Sequence, residues 1–413
     1  MTITYRVPED AELEAFMLPV WRGFGEPEPD KDSIADERML WERERSIGAL
    51  DGDEWVGGTG TFTMDLTLPG GATVPAGGVT MVGVAATHRR RGILTELMVR
   101  QLDDIAARGE PVAILTASES VIYGRFGYGL ATRGIRRRLD VARSRFRPEV
   151  AAAGGRFRQV TIDTARALLP DAYERIRSGR PGSVARSHAW WETHVFLDRP
   201  ARRDGGGGLA VLFHEDPSGE VDGWALHREN NSWLDRIPSS SLRVEELTAV
   251  DDAVHLGLWR ALLDHDLYAE VDYFQGPLDD PVQWALADPR RLRSSTITDW
   301  LWVRVLDVPA ALGPRHWGSP GTVVIEVVDR FRPASGGRFR IEADGTGAGS
   351  VTATDAPADL TFGAEELGAC SLGGVRPSVL ARVGRVQTDT PGALRTADAM
   401  FRSEVAPYCV TMF

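Results

Sequence analysis

The chain has few of the residues that mark secreted, metal-binding or membrane proteins. Its 413 residues include two cysteines, Cys370 and Cys409, which are too few for a disulfide framework and lack metal-site spacing. No run of 18 apolar residues occurs, so no transmembrane helix is expected. The opening MTITYRVPEDAELEAF has neither the basic nor the long apolar region of a signal peptide. We therefore expect a protein of the reducing cytoplasm.

Lysine occurs once, at Lys31, so arginine carries all other positive side-chain charge. The formal net charge is −12 at pH 7, which argues against general nucleic-acid binding and favours a cationic partner. The negative charge is concentrated, since residues 9–37 hold ten Asp or Glu against Arg22 and Lys31. This segment is either an ordinary acidic surface or a lip that gathers cationic molecules.

The stretch VTMVGVAATHRRRGIL at residues 79–94 is the most informative in the chain. A β-branched apolar run ends in a turn with three arginines and a glycine, and apolar residues then recur at helical spacing. A helix that begins with three cations is electrostatically unfavourable unless an anion lies nearby, and its free N–H groups favour phosphate. The motif predicts a pyrophosphate site at Arg89, Arg90 and Gly92, with a solvated basic turn as the alternative.

A second buried strand is predicted after that helix, at residues 111–116, PVAILT. Neither the Lys-Ser/Thr of a P-loop nor the G-x-G-x-x-G of a dinucleotide fold follows the first strand. A strand, an R-x-x-G turn, a helix and a strand resemble the acetyl-CoA core of the GCN5-related N-acetyltransferases, abbreviated GNAT. The resemblance implies an α/β (α+β) fold that binds acetyl-CoA.

The rest of the chain predicts two further units. In the second unit a strand is again followed by a helix, but Asp251 and Asp252 stand where the first unit has arginines. Two carboxylates near a phosphate site would repel the ligand, so we interpret this unit as a degenerate copy that binds no cofactor. We expect domains at 1–145, 146–295 and 296–413, with a linker at 146–158.

Motifs along the whole chain resemble the Eis (enhanced intracellular survival) family of acetyltransferases. They are THRRRG at 87–92, IYGRFGYG at 122–129, LWRAL at 258–262, VPAAL at 308–312 and a C-terminal phenylalanine. The resemblance implies two tandem GNAT folds, of which only the first binds acetyl-CoA, followed by a sterol-carrier-protein-like α+β domain. It also implies acetyl transfer to amines of aminoglycosides and other polycationic molecules, antibiotic resistance, and a homohexamer. Lysine side chains of peptides are a variant of this substrate class.

The catalytic groups follow from the same resemblance. Tyr123 is expected as the general acid, because a phenol with a pKa near 10 stays protonated at neutral pH and can donate to a leaving thiolate. Judged from the residues alone, the alternative is that Tyr123 is a structural aromatic side chain packed beside Phe126 and Tyr128. The C-terminal carboxylate of Phe413 is expected as the general base, although an α-carboxyl with a pKa of about 3.5 needs desolvation for this task. A frayed terminus is the alternative.

Ligand contacts are expected around these groups. The strand with Val82 and Val84 would present its backbone to the thioester carbonyl and pantetheine, and Ser118 would contact the pantetheine or cap its strand. Expected cofactor contacts are Val82, Val84, Arg89, Arg90, Gly92, Ile93 and Ser118. Candidate substrate contacts are Phe24, Glu26, Glu28 and Trp191. Met412 stands where some relatives carry an acidic residue, which predicts a narrower aminoglycoside range or another amine.

Three other interpretations concern a metal site, ligand binding without catalysis, and assembly. The segment HAWWETH at 188–194 lacks the H-E-x-x-H order of a zinc site, so no metal is expected. The alternative function is a non-catalytic protein that binds CoA or, in its sterol-carrier-like domain, an apolar ligand. A further alternative is a mainly structural chain whose tandem units serve assembly.

Overall fold

Two compact units make up the protein, whose computed structural model describes residues 3–25 and 28–413. The first unit combines the chain up to Thr132 with the segment Asp299–Phe413, and the second is Arg133–Thr298. No helix in the described ranges combines the length and apolarity that a membrane span requires.

Strands and helices alternate in the N-terminal part of the first unit. Its elements are β1 (Ile3–Arg6), α1 (Leu13–Phe24), α2 (Lys31–Leu40), β2 (Ile47–Asp51), β3 (Glu54–Thr67), β4 (Thr73–Val84), α3 (Ile93–Ala107), β5 (Val112–Thr116), α4 (Ser120–Tyr123) and β6 (Gly129–Leu130). Helix α3 buries Ile93, Leu97, Leu102 and Ile105, one side of the helix, as the apolar spacing predicts.

The second unit is also mixed α and β. Its elements are β7 (Arg133–Asp140), β8 (Arg156–Val160), α5 (Ile162–Ile176), α6 (His188–Trp191), β9 (Leu209–Glu215), β10 (Val221–Asn230), β11 (Trp233–Leu234), β12 (Ile237–Pro238), β13 (Ser240–Ala249), α7 (Asp252–Leu263), β14 (Tyr268–Gly276), α8 (Val282–Ala285) and β15 (Leu292–Asp299). Strand β8 begins inside the segment predicted as a linker, because its residues pair with β9.

The C-terminal part of the first unit carries the remaining elements. They are β16 (Leu301–Val305), α9 (Val308–Leu312), β17 (Gly321–Val328), β18 (Gly337–Ala343), β19 (Gly349–Ala353), β20 (Leu360–Gly363), α10 (Ala364–Cys370), α11 (Pro377–Ala381), β21 (Val386–Thr388) and α12 (Ala393–Phe401). Five of the strands form a sheet in the order β19-β18-β17-β20-β21.

A seven-stranded sheet organises the first unit in the order β1-β2-β3-β4-β5-β16-β6. Strands β4 and β5 run parallel, but they pair only from Ala76 to Gly78 against Val112 to Ile114. Because β4 continues to Val84, the two strands diverge beyond this point. The divergence leaves a gap in the sheet at the end where α3 begins.

A bulge in β4 lies beside this gap. Gly58 pairs with Gly83 and Gly60 with Thr80, so two residues of β4, Met81 and Val82, face one residue of β3. Met81 has a φ of 54°, a left-handed conformation that is sterically costly for a residue with a side chain. The bulge interrupts the regular hydrogen-bond ladder and re-aims β4 where it borders the gap.

The second unit has a seven-stranded sheet in the order β15-β7-β14-β13-β10-β9-β8, in which β13 and β14 are parallel. Helix α7 follows β13 as α3 follows β4. Here the Asp251 carboxylate caps the helix by accepting the N–H of Val254 at 2.9 Å. The start of α7 is therefore occupied by the protein's own carboxylate, at the position where α3 has a glycine.

Two strands pair across the boundaries expected from the sequence. Strand β7, which precedes the expected boundary at residue 145, belongs to the sheet of the second unit. Strand β16, which follows the expected boundary at 295, completes the sheet of the first unit between β5 and β6. The division at 1–145, 146–295 and 296–413 stays a prediction, and the compact units follow these distant strand pairings instead.

The C-terminal part of the first unit packs tightly against the loop at 124–129. A Cβ atom at Gly129 would lie 1.9 Å from the carbonyl oxygen of Glu365, so only glycine permits this approach of α10. The buried Arg304 guanidinium donates to the Phe126 carbonyl at 2.8 Å and forms an ion pair with Asp329. These contacts fix the backbone of the loop that follows Tyr123.

Candidate active site

A cavity of about 580 Å³ lies in the first unit where β4 ends and α3 begins. The end of α1, the turn before α3 and helix α4 complete its walls. The residues singled out from the sequence that line it are Phe24, Val82, Val84, Arg89, Arg90, Gly92, Ile93, Ser118 and Tyr123. Sequence reasoning missed Glu119, Ile122 and Arg125, although Ile122 and Arg125 flank Tyr123 within the IYGRFGYG motif.

The start of α3 is built to meet an anion. Gly92 is the N-cap residue, with a φ of 82°, and it has no side chain to offer the N–H groups of the first turn. A Cβ at Gly92 would meet no heavy atom within 4 Å, so the left-handed backbone, and not lack of space, favours glycine. The free N–H groups and the positive end of the helix dipole face the cavity that Gly92 lines.

The three arginines before α3 differ in where they lie. Arg89 and Arg90 line the cavity. Arg91 lies 3.9 Å from the Asp51 carboxylate, which also contacts His88 at 3.1 Å. Two of the three guanidiniums are therefore positioned beside the helix start, where they add positive charge to it.

Tyr123 ends α4 and borders the cavity with its buried side chain, of which 6% is exposed. Burial, followed by the negative charge of Glu119, raises the pKa of the Tyr123 phenol to about 12. The phenol is therefore protonated throughout the neutral range, as a proton donor must be. Tyr128 is fully buried, and burial raises the pKa of its phenol as well.

The C-terminus reaches a second, smaller cavity of about 230 Å³ in the same unit. The Thr116 hydroxyl donates a hydrogen bond of 3.0 Å to a terminal oxygen of Phe413. This cavity shares Phe24, Val82, Ser118 and Tyr123 with the larger one, so the two adjoin along these side chains. The structure thus brings together the two groups that the sequence singled out for proton transfer.

The smaller cavity also contains residues that the sequence did not single out. They are Val79, Thr80, Met81, Thr116, Ala117, Asp299 and Trp300. Asp299 and Trp300 come from the segment before β16, and only the pairing of β16 with β5 brings them here. No local pattern in the sequence signals this pairing.

The end of the chain is held in place. Cys409 and Thr411 are fully buried, and the Cys409 thiol donates to the Thr411 carbonyl at 3.3 Å. Met412 is 62% exposed, and Phe413 is half-buried again. The C-terminus is therefore packed against the rest of the first unit, in contrast to the frayed terminus given as the alternative from the sequence.

Two candidate substrate residues, Trp191 and Glu28, line neither cavity. Trp191 lies in the second unit, where it is 1% exposed and packs against Tyr173 and Phe196. Glu28 is exposed and forms an ion pair of 3.0 Å with Arg22. Glu26 lies outside the described residues. Of the three candidates within the described residues, Phe24 is thus the one that the structure brings to the site.

Within residues 3–25 and 28–413, no cluster of three or more His, Cys, Asp or Glu side chains is arranged to hold a metal ion. Both cysteines are buried and neither forms a disulfide, and burial raises the pKa of the Cys370 thiol.

Known proteins resemble the whole chain. Residues 4–131 and 182–305 each match an acetyltransferase (GNAT) domain, and residues 308–410 match a sterol carrier protein domain. An uncharacterised N-acetyltransferase of Streptomyces avermitilis is 42% identical over 99% of each chain. The N-acetyltransferase Eis of Mycobacterium tuberculosis is 36% identical over 87% of this chain and 86% of its own. The crystal structure of Eis1 from Mycobacterium abscessus covers 100% of both chains with a TM-score of 0.86 and 34% identity.

The fold and the matched domains define an N-acetyltransferase of the GNAT class, with two GNAT domains and a sterol-carrier domain. Within this class, the chain belongs to the Eis N-acetyltransferase family. The fold class and the enzyme class predicted from the sequence are confirmed, which sets aside the non-catalytic and purely structural alternatives. A GNAT enzyme uses an acyl-CoA, and the glycine-capped start of α3 with its two arginines fits the pyrophosphate of such a ligand.

Proposed function

We propose that this enzyme transfers acetyl from acetyl-CoA to amines of polycationic acceptors, with aminoglycosides as the favoured class and peptide lysines as a variant. The observation that carries the proposal is the C-terminal carboxylate of Phe413, which lies in the same cavity as the Tyr123 side chain. A carboxylate and a protonated phenol in one cavity are the base and the acid that amide formation from an ammonium requires.

The larger cavity is the proposed site of acetyl-CoA. Arg89, Arg90 and the N–H groups after Gly92 would hold the pyrophosphate, since they offer charge-assisted hydrogen bonds and a helix dipole. The bulged end of β4, at Val82 and Val84, would present backbone N–H groups to the pantetheine and the thioester carbonyl. Ile93 and Ser118 complete the proposed contacts.

The proposed proton transfers use the two ends of the smaller cavity. Acetyl-CoA supplies an activated thioester, and the amine nitrogen bonds to its acetyl carbon as the carbon–sulfur bond breaks. The Phe413 carboxylate takes one proton from the ammonium and releases it to solvent. The Tyr123 phenol gives its proton to the leaving sulfur and regains one from the nitrogen. The nitrogen thus loses two protons, of which one appears in solvent and the other on the CoA thiol.

The charge of the smaller cavity supports a cationic acceptor. The carboxylates of Asp299 and Phe413 both line it, together with the aromatic side chains of Phe24 and Trp300. Carboxylates attract ammonium groups, and aromatic faces add cation–π attraction. Met412 is mainly exposed and adds no charge, so the acceptor's amines have these two carboxylates as their anionic partners among the described lining residues.

The test is the release of CoA thiol from acetyl-CoA with a panel of aminoglycosides, polyamines and lysine peptides. A matched variant carries two glycines after Phe413, which moves the carboxylate away without changing any other residue. We expect this variant to keep its melting temperature and its affinity for acetyl-CoA, and to lose turnover about 100-fold or more. Full turnover in the extended enzyme would remove Phe413 as the base and leave the acetyltransferase.

The remaining parts of the proposal rest on the family resemblance. We propose a homohexamer, which mass photometry of the purified enzyme tests directly. We also propose a role in aminoglycoside resistance and a location in the cytoplasm, where the buried thiols of Cys370 and Cys409 would stay reduced. Resistance is tested by the inhibitory concentration of each aminoglycoside for cells that express the wild-type or the extended enzyme.

A further inference from the structure

Thr116 occupies the point at which the first sheet opens. It is the last residue of β5, and it pairs with Leu301 of β16 through its backbone. Its side chain is half-buried and lines the smaller cavity. The Thr116 hydroxyl donates to a terminal oxygen of Phe413 at 3.0 Å, within the range of a good O–H···O bond.

The ring of Phe413 is seated on the neighbouring strand. A Cβ atom at Gly78 would lie 3.3 Å from the Phe413 Cε2 atom and 2.7 Å from the Met64 sulfur, so a larger residue there would push against both side chains. Gly78 is the last residue of β4 that pairs with β5. The ring of Phe413 therefore rests against β4, and its carboxylate is bonded to β5.

The last residue of a chain has no following peptide to hold it. Thr411 is fully buried but Met412 is 62% exposed, so the burial of the tail is interrupted just before the carboxylate. Chain ends fray unless side-chain contacts tie them down. The hydroxyl of Thr116 and the contact at Gly78 supply two such contacts to Phe413 itself.

We propose that Thr116 is a positioning residue, whose hydroxyl fixes the Phe413 carboxylate in the orientation that accepts a proton from the acceptor amine. The inference rests on the proposed role of Phe413 as the base. A carboxylate has two oxygens, and Thr116 engages one of them, which leaves the other for the ammonium. A hydroxyl donates without adding charge, so it orients the carboxylate without neutralising it as an arginine would.

Charged groups near Phe413 influence the protonation of its carboxylate, and therefore the pH profile of any variant. Among the residues that the structure describes, the titratable groups that share the smaller cavity with Phe413 are Tyr123 from α4 and Asp299 from the end of β15. The Asp299 carboxylate accepts a hydrogen bond of 3.0 Å from the Trp302 indole. Tyr123 stays neutral at ordinary pH, so Asp299 is the charged group whose field acts on Phe413 in every variant alike.

The test compares Thr116→Val, which keeps the shape and removes the hydroxyl, with Thr116→Ser, which keeps the hydroxyl. We expect Thr116→Val to lower kcat by about 10- to 100-fold while the KM for acetyl-CoA changes by less than about twofold. Losing the donor removes a stabilisation of the charged carboxylate, so the acidic limb of the kcat/KM profile moves to higher pH. Thr116→Ser should restore both quantities to near the wild-type values.

A second variant acts on the other contact. Gly78→Ala places a methyl group against the Phe413 ring, and we expect a loss of kcat in the same direction, with Thr116 intact. Equal losses in Thr116→Val and Thr116→Ser, with an unmoved acidic limb, would overturn the proposal, since they would show a packing effect.

The variant extended beyond Phe413 separates this inference from the function on which it rests. If extension abolishes turnover but Thr116→Val leaves kcat and the pH profile unchanged, positioning by Thr116 is wrong and the base stands. If the extended enzyme keeps full turnover, the base itself is wrong, and the positioning proposal is overturned with it. Melting temperatures of all variants show whether the fold is retained.

Discussion

The rings of Tyr123 and Tyr128 meet edge to face, with their centroids 6.0 Å apart, yet only Tyr123 lines the two cavities. This relationship provides a matched pair of substitutions. We expect Tyr123→Phe to lower kcat by about 100-fold with little change in the affinity for acetyl-CoA, because it removes a proton donor and almost no volume. CoA-thiol release at saturating acetyl-CoA measures the effect.

Tyr128→Phe is the control for that substitution. The Tyr128 hydroxyl is buried and has no hydrogen-bond partner among the described residues, so its removal leaves no other group unpaired. We expect turnover within about twofold of wild type and an unchanged or slightly higher melting temperature. Full activity in Tyr123→Phe, or equal losses in both variants, would contradict Tyr123 as the acid.

The pKa of Tyr123 gives a prediction about pH. Burial raises this pKa to about 12, so the acid stays protonated until the solution is strongly alkaline. We therefore expect the kcat profile to show no loss of activity from Tyr123 below about pH 11. A basic limb at lower pH that disappears in Tyr123→Phe would show that the phenol ionises more easily than its burial implies.

Arg89 and Arg91 form a second matched pair, because Arg89 lines the larger cavity whereas Arg91 faces Asp51. We expect Arg89→Gln to raise the KM for acetyl-CoA about tenfold at unchanged kcat, since one charge-assisted hydrogen bond to phosphate is lost. Arg91→Gln should change this KM by less than about twofold. Steady-state kinetics at two ionic strengths test both, because screening weakens the wild-type contact most.

The capped start of α7 predicts one acyl-CoA per chain. The Asp251 carboxylate already accepts the N–H of Val254 in the first turn of α7, and its negative charge would repel a pyrophosphate. Asp252 in the same turn still opposes an anion when Asp251 is replaced, so we expect isothermal titration calorimetry with CoA to give a stoichiometry of one in wild type and in Asp251→Ala alike. The variant should lose about 1 kcal/mol of unfolding free energy through the lost cap. Two equivalents of CoA per chain would show that the second unit retains a site.

His227 in β10 predicts a loss of stability in mild acid. Burial, and next the neighbouring His265, lower the pKa of His227 to about 4. The folded state thus holds the neutral imidazole, while the unfolded chain protonates at about pH 6.5, so stability is full above this value and falls as pH drops toward 4. We expect the second unit to lose roughly 2 kcal/mol at about pH 5 from this group.

Urea unfolding of wild type and His227→Leu at neutral and mildly acidic pH measures that loss. The variant should show a smaller dependence on pH, by about the same amount. His188→Gln serves as the control, because His188 is exposed and its substitution should leave the difference between the two pH values unchanged. Identical pH dependence in wild type and His227→Leu would contradict the prediction.

Local features of the sequence predicted much of the fold and of the larger cavity. The apolar spacing of α3 and the glycine before it are properties of one short segment, so they are visible without the structure. Arg89, Arg90 and Gly92 reach the cavity because they are part of the same turn. The prediction that the second unit binds no cofactor came from Asp251 and Asp252 in one turn, and the structure shows that Asp251 caps the helix.

Residues that meet through distant pairing were not predictable in this way. Thr116 and Asp299 share a cavity because β16 pairs with β5, and no periodicity in either segment reports that pairing. Trp191 was predicted as a substrate contact from its position in the chain. Its large apolar side chain is instead buried in the core of the second unit. The role of Phe413 came from the family resemblance, and the residues alone favoured a loose end.

The pairing of β16 within the first sheet has a consequence for synthesis. When the first 145 residues have been synthesised, one edge of β5 is unpaired, because β16, which pairs with that edge, has not yet been translated. The sheet closes only after residue 305 has emerged, and the carboxylate at its opening exists only once the last ester bond to transfer RNA is cut. If the Phe413 carboxylate is the base, as proposed, the nascent enzyme lacks that base until translation ends. The same geometry makes a fragment cut at residue 145 prone to aggregate through its bare strand edge.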